Sequence, residues 1–551
     1  MKMISAVRFF LLGLALATSG CRTYSTAIEK QPTYKSGSPA GRVIGQALKN
    51  PAEQPEVQIG RYLDAASLAA DELKRNPDSI QGRSDYAYAT GRVFEVLNET
   101  TLKPWLTALS CPGAKGPWRF SIETSNLPVR QRLDAFRVVP ADRYDFKGTL
   151  VKTRSLKAGL GAPLITSTKG LDLTRTDRFA QGKTTYYGLT GILKFEGEIC
   201  TASLLDPLSV ETVELAGHTY PLAADFTAPL ALALAELNPR REELQKLVKP
   251  DEFLATARLA RLQPYDSDKI PVLCIHGLGD SHATWVPLIE TLRGDATIRK
   301  HYQFWFFSYP TGLPYSLMAS VLRKEMDVFN ATYPGHKPFV VIGHSTGGNI
   351  ARTLITDTGM KVWNAYYDVP PRKTGLSPDT RRIMEGAFIF RARRDVSRVI
   401  FTSASLGGSE MATSLIGRIG SRLVGRDPVV LGADAEEAIA ESKPPSAGDK
   451  VKRMPNSIDI LDPKNRFLTT LNSIPTSRSL PYHSVIGDRG KGGNKDHTKP
   501  VSTDGIVPYW SSHIGGAQSE LVVPSGHWTN QDPQAIAEVG RILRLHLAGR
   551  N

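Results

Sequence analysis

Residues 343–348 read Gly-His-Ser-Thr-Gly-Gly, directly after the apolar run Phe339-Val340-Val341-Ile342 and directly before the helix-compatible Asn349 to Thr356. A serine between glycines at a strand-to-helix junction is the setting of a nucleophile elbow. The glycines are steric necessities, because a side chain at Gly343 or Gly347 would collide with the elements that a strained turn brings together. The turn lifts the hydroxyl of Ser345 above a sheet and sets it at a helix N-terminus, where backbone N–H groups can hold an oxyanion. His344 completes the elbow. The chemistry such a serine offers is attack on a carbonyl. It needs a base for the hydroxyl proton, an acid to orient the base and a second oxyanion donor.

In this arrangement acid and base follow the serine in the chain. Of eleven histidines, His483, His497, His513, His527 and His546 lie after Ser345. His483 opens an apolar strand and His546 lies in the terminal helix, so both read as structural, and His497 sits in a Gly-Lys-rich loop. His527 follows the strand Glu520 to Val523 through Pro524-Ser525-Gly526, a position from which an imidazole reaches back over the sheet; it is preferred over His513 as the base. Asp504, in Thr503-Asp504-Gly505-Ile506-Val507-Pro508, is preferred over Asp488 as the acid, since the turn and the apolar residues after it give a partly buried mount. Asp488 reads as shaping the loop Gly490 to Gly493. For the oxyanion, the strand Val272 to Ile275 ends in His276-Gly277-Leu278-Gly279, so the main-chain N–H of Leu278 is the candidate beside that of Thr346.

His276-Gly277-Leu278-Gly279-Asp280 with Trp285 behind it, Gly343-His344-Ser345, Asp504 to Pro508 and Gly526-His527, in this order, resemble the α/β-hydrolase superfamily and within it the bacterial lipases and esterases. The resemblance covers residues 270–528. It implies a serine hydrolase cleaving carboxylic esters through an acyl-enzyme, with no metal or organic cofactor and an ester or lipid-like substrate. Two departures stand out. Thr346 occupies a position where such enzymes often carry Met or Gln, and Ala404-Ser405-Leu406-Gly407-Gly408-Ser409 replaces the Thr-Pro-His-Arg-Gly-Ser of many lipases, so pocket details do not transfer. Residues of about 409–480 fall where these enzymes carry a cap or a covering helix pair. A non-catalytic envelope scaffold and an acyltransferase using the same serine are the alternative readings.

The elements that must hold these residues are legible in the pattern. Short apolar runs at 272–275, 304–308, 339–342, 399–401, 483–486 and 521–523 alternate with amphipathic stretches such as Met318, Val321, Leu322 and Phe329. That rhythm predicts a mostly parallel sheet with helices on both faces. The first half differs. Tyr62, Ala66, Ala69 and Leu73, a break at Asn76-Pro77-Asp78, and Tyr86, Val93, Phe94 and Leu97 predict one helical hairpin. Glycine-punctuated alternation from about 117 to 225 predicts short strands, and Ala231 to Leu262 is read as helical, broken at Pro239 and Pro250.

The chain has 551 residues, 41% hydrophobic and 22% charged, with four cysteines, which excludes a disordered, collagenous or disulfide-stapled protein. Its net charge of +14 is read as a solvated surface rather than a nucleic-acid site, since no nucleic-acid-binding motif accompanies the arginines at 381–398. Past residue 20 no apolar run approaches the roughly 18 residues of a membrane span. Lys2 and Arg8, the apolar Phe9 to Ala17, and Thr18-Ser19-Gly20 before Cys21 resemble a lipoprotein signal, with a plain cleaved secretory signal as the alternative; either implies export, and the first implies acylation of Cys21 in a bacterial envelope. Cys274 reads as a buried hydrophobe, leaving Cys111 with Cys200 as the one sensible disulfide. The predicted organisation is a signal at 1–20, a tether at 21–56, an α+β region at 57–265 and an α/β-hydrolase domain at 266–551.

Overall fold

The computed structural model describes residues 23–52, 54–124, 136–168, 177–180, 184–237, 239–410, 457–477, 480–490 and 503–549. The signal, Cys21, His497 and most of the cap segment lie outside them. The chain divides into two compact units, Met1–Leu173 with Gly182–Asn238, and Thr174–Gln181 with Pro239–Asn551.

The first unit opens with β1 (Thr26–Glu29) and the helices α1 (Pro39–Lys49), α2 (Pro55–Arg75) and α3 (Ile80–Asn98). The predicted hairpin is α2 and α3, ended by Asn76 and restarted by Ser79, whose hydroxyl accepts from the Gly82 N–H. Strands β2 (Leu109–Gly113), β3 (Gly116–Glu123), β4 (Phe136–Pro140), β5 (Tyr144–Lys147), β6 (Leu156–Lys157), β7 (Ala162–Thr168), β8 (Tyr186–Glu196) and β9 (Ile199–Leu205) follow. Six of them form a sheet ordered β2-β3-β9-β8-β7-β4, antiparallel except for β3 beside β9. The helices bury Ile59, Leu63, Tyr86 and Phe94 in one core with Phe120, Ile192 and Leu204 of the sheet. The unit closes with β10 (Thr212–Leu215), β11 (His218–Pro221), β12 (Ala224–Asp225) and α4 (Ala228–Leu237).

Two expectations are corrected here. Part of the polar, proline-bearing stretch read as a tether is folded: β1 pairs with β5, and α1 buries Ala40, Ile44 and Ala47 in the same core as α2. Prolines mislead in this stretch because Pro39 and Pro55 stand in the first turns of helices, where a missing N–H costs nothing. The disulfide is absent as well, since Cys111 and Cys200 are free, buried thiols. Strand β3 lies between their strands, and two strand spacings of about 4.8 Å exceed the roughly 7 Å that a disulfide can span between Cα atoms.

The second unit runs α5 (Arg240–Val248), β13 (Arg258–Arg261), β14 (Ile270–Ile275), α6 (Val286–Gly294), α7 (Ala296–His301), β15 (Tyr302–Ser308), α8 (Tyr315–Thr332), β16 (Phe339–His344), α9 (Thr346–Thr353), α10 (Lys361–Tyr366), α11 (Pro378–Phe388), β17 (Val396–Thr402), α12 (Arg466–Asn472), β18 (Tyr482–Gly487), α13 (Tyr509–Ser512), β19 (Ser519–Val523) and α14 (Pro533–Ala548). Its sheet is ordered β13-β15-β14-β16-β17-β18-β19, parallel throughout except for β13. Every residue of β14 and β16 is buried, which is why both are continuous apolar runs rather than alternating ones. Helix α8 buries Met318, Leu322, Met326 and Phe329 against the sheet, and Asp532 caps α14 by accepting from the N–H groups of Gln534 and Ala535.

The unit boundary falls at residues 238 and 239, not at 265 and 266, because β13, within a stretch read as helical, pairs antiparallel with β15 and belongs to this sheet. The arginine-rich stretch is likewise not one solvated face. Arg398 is buried on β17, where it donates to Gln518 at 2.8 Å, and Arg393 pairs with Asp395 and Asp327; Arg382 and Arg394 are exposed. Among the described residues no helix is long and apolar enough to cross a membrane.

Candidate active site

The parallel strands β14, β16, β17, β18 and β19 all end on one edge of the sheet, where an open α/β sheet collects its functional loops. Ser345 follows β16 with φ +53° and ψ −125°, one of three described non-glycine residues at positive φ. Its backbone is held by a bond from its own N–H to Thr402 O at 3.1 Å and by the Gly348 N–H donated to its carbonyl at 2.9 Å. The glycines are required by contact. A Cβ at Gly343 would lie 2.6 Å from Gly347 O, and one at Gly347 would lie 2.6 Å from His276 O and 2.7 Å from the Ile275 carbonyl carbon. The helix start can approach β14 this closely only without side chains.

Asp504, His527 and Ser345 meet although 182 residues separate the last two. Asp504 Oδ2 lies 2.7 Å from His527 Nδ1, and His527 Nε2 lies 3.0 Å from Ser345 Oγ. All three are buried. The other carboxylate oxygen, Oδ1, accepts from the N–H groups of Ile506 at 2.8 Å and Val507 at 2.7 Å. Burial pushes the Asp504 carboxyl up, but its bond to His527, the charge of that ring and the Val507 and Ile506 N–H groups outweigh burial and hold it below the usual carboxylate range. It is therefore an ionised acceptor at neutral pH, fixing Nδ1 as the protonated nitrogen and leaving Nε2 to accept from the serine.

The rival residues stand elsewhere. His513 pairs with Glu520 at 2.8 Å, His483 lies in β18 beside Ser519, and His546 bonds Tyr302 at 3.0 Å. Asp488 accepts from the Gly490 N–H at 2.7 Å, shaping that turn.

The loop after β14 lies against the nucleophile. A Cβ at Gly277 would lie 2.8 Å from Ser345 Cβ and 3.4 Å from its Oγ, so Leu278 is the next residue along from this contact. Thr346 is the first residue of α9, and its N–H has no acceptor within the helix. The carbonyl of His276 is fixed by the Tyr309 hydroxyl at 2.6 Å, and Gly279 N–H donates to Thr311 at 3.1 Å.

His344 has a part that elbow spacing does not reveal. It is buried, its Nε2–H donates to the His527 carbonyl at 2.8 Å, and Trp285 meets its ring edge-on at 6.4 Å. Burial, and then the neighbouring His527, push it down to about 3, so it is a neutral strut holding the main chain of the base. Only the glycines and the serine of this motif carry a spacing signal; the contact is made across the fold.

Residues 272–539 match the family model described as "Alpha/beta hydrolase family". Among solved structures, the chain is similar to the mature lipase BlEst2 of Bacillus licheniformis at 14% identity, over 50% of this chain and 93% of that one, with a TM-score of 0.29. It is also similar to EstA of Clostridium botulinum at 13% identity, over 55% and 97%, with a TM-score of 0.30, and to the metagenomic carboxyl esterase MGS0156 at 15%, over 49% and 68%, with a TM-score of 0.28. No curated protein matches the sequence. With its mostly parallel seven-stranded sheet and its match to that family model over residues 272–539, the C-terminal half of this chain has the alpha/beta-hydrolase fold.

Proposed function

We propose that the second unit is a serine hydrolase of carboxylic esters. The observation that carries this reading is the buried chain of two hydrogen bonds, 2.7 Å from Asp504 to His527 and 3.0 Å from His527 to Ser345. In the proposed cycle His527 Nε2 takes the Ser345 proton as Oγ attacks the ester carbonyl carbon, and the N–H groups of Leu278 and Thr346 receive the oxyanion. Collapse breaks the bond to the alcohol oxygen, which leaves with the proton from Nε2. Water then enters, gives a proton to the same nitrogen and attacks the acyl-enzyme, and the acid departs as Oγ recovers its proton. Asp504 stays ionised throughout and stabilises the imidazolium.

The test is turnover of 4-nitrophenyl esters of increasing chain length, and fluorophosphonate labelling, with wild type and Ser345→Ala. Both signals are expected to vanish in the variant; ester turnover that survives the substitution rejects the reading. A product ratio favouring transfer to an added alcohol over water would make the same serine that of an acyltransferase. We further propose that the protein is exported and anchored through Cys21, so that incorporation of labelled palmitate should be lost in Cys21→Ser.

A further inference from the structure

Arg489 stands two residues past β18, on a backbone fixed from both sides. The N–H of Asp488 donates to Val523 O at 2.9 Å and that of Arg489 donates to Thr503 O at 3.1 Å. The guanidinium lies across the two glycines that border the acid and the base. A Cβ at Gly505, next to Asp504, would lie 2.5 Å from Nη1, and one at Gly526, next to His527, would lie 3.6 Å from Nε. Gly505 also has φ +101°, a backbone conformation that disfavours any residue with a Cβ. The residue is exposed, and among the described residues its guanidinium makes no ion pair or hydrogen bond. Two residues after Gly526, the ring of Trp528 is 53% exposed, 6.2 Å from the His527 ring, whereas Trp285, Trp305 and Trp363 of the same unit are wholly buried.

A planar cation with five free donors, lying over the glycines that border the acid and the base, suits a carboxylate or phosphate. The exposed Trp528 ring, on the other side of Gly526 and beside the base, offers apolar contact to whatever joins that anion to the ester. We propose that Arg489 makes this site select esters that carry a second, anionic group, a carboxylate or a phosphate, placed to extend over His527 and Trp528. The inference rests on the ester-hydrolase reading and names the substrate class within it. Arg489 is a recognition residue; it takes no part in the proton transfers.

The test compares 4-butyryloxybenzoate with its neutral isostere 4-butyryloxybenzamide on the full chain at low ionic strength. Wild type is expected to favour the anionic ester. In Arg489→Gln the ratio of the two kcat/KM values should fall about tenfold, through KM, and Arg489→Lys, which keeps the charge without the fork, should fall between. The wild-type preference should shrink as salt is raised. Trp528→Ala should raise KM for both esters alike and leave the ratio unchanged. A parallel arm with phosphatidylglycerol and phosphatidylcholine vesicles assigns the source: a ratio that responds to Arg489→Gln only on vesicles makes the anion a lipid headgroup, and one that responds on the soluble pair makes it a group of the free substrate. A ratio unmoved by Arg489→Gln in both arms overturns the inference and leaves the hydrolase reading standing. Failure of wild type to turn over any of these esters overturns both.

Discussion

Replacing Asp504 by Asn tests the acid of the site with a change of one atom, and the structure sets the size of the effect. In the native site Oδ1 accepts two main-chain N–H groups, from Ile506 and Val507, and Oδ2 accepts from His527. An asparagine has one acceptor oxygen. If that oxygen keeps the two N–H bonds, the amide NH2 faces His527 Nδ1, which must then be unprotonated. The ring proton moves to Nε2, where it confronts Ser345 Oγ as a donor, and the base is lost. If the amide flips, the tautomer is restored, but the NH2 points at the part-buried Ile506 and buried Val507 N–H groups, less than 3 Å away. Leaving each without an acceptor costs about 1–3 kcal/mol, so the productive orientation lies roughly 2–6 kcal/mol uphill. At about 1.4 kcal/mol per factor of ten, kcat/KM should fall by about one and a half to four orders of magnitude. Thermal stability should change little, because the preferred orientation keeps both main-chain bonds. The assay is 4-nitrophenyl butyrate turnover with active-site titration, and Asp488→Asn, whose side chain accepts from the Gly490 N–H away from the triad, serves as the control. An Asp504→Asn rate within about fivefold of wild type, or a comparable loss in Asp488→Asn, refutes the reasoning.

Gly347→Ala should lose about 1–3 kcal/mol of stability together with turnover, since its Cβ meets the main chain of β14, while Gly375→Ala, with nothing within 4 Å, should be neutral in urea unfolding. Asp280, half-buried with its Oδ2 sealed from solvent, is pushed up to about 7 by burial and then by the charge of Glu243. A raised carboxyl favours the fold below the unfolded value near 4, and that stability is lost as pH rises through 7, so the melting-temperature gain of Asp280→Asn over wild type should grow from pH 5 to pH 8; a gain independent of pH contradicts this. Alkylation of the unfolded chain without reductant should modify Cys111, Cys200 and Cys274, and a peptide linking Cys111 to Cys200 would be incompatible with a strand between them. In the native chain the Cys111 thiol, pushed up to about 12 by burial and then by the charge of Glu56, should be inert to the same reagent.

What the sequence determines by itself is whatever local sterics and periodicity encode. Strands β14 and β16 read as apolar runs because a parallel strand covered on both faces has no polar side to alternate with. The elbow reads because only glycine tolerates the approach of α9 to β14, and that demand is written within six residues. His527 could be ranked because it follows a strand, and Asp504 because the turn and the apolar residues after it give it a mount, although ranking alone brings neither to the serine. Tertiary structure decided everything that depends on partners distant in the chain. It set the two hydrogen bonds of the site, the strut from His344 to the His527 carbonyl, and the cradle of Gly505 and Gly526 beneath Arg489. It gave β13 to the second unit and folded α1 onto the first, because pairing with β15 and burial against α2 outweigh the weak local preferences of those stretches. It also kept Cys111 from Cys200, since the separation of two residues across a sheet is set by strand order, a property of the pairing and of neither residue's neighbours in the chain.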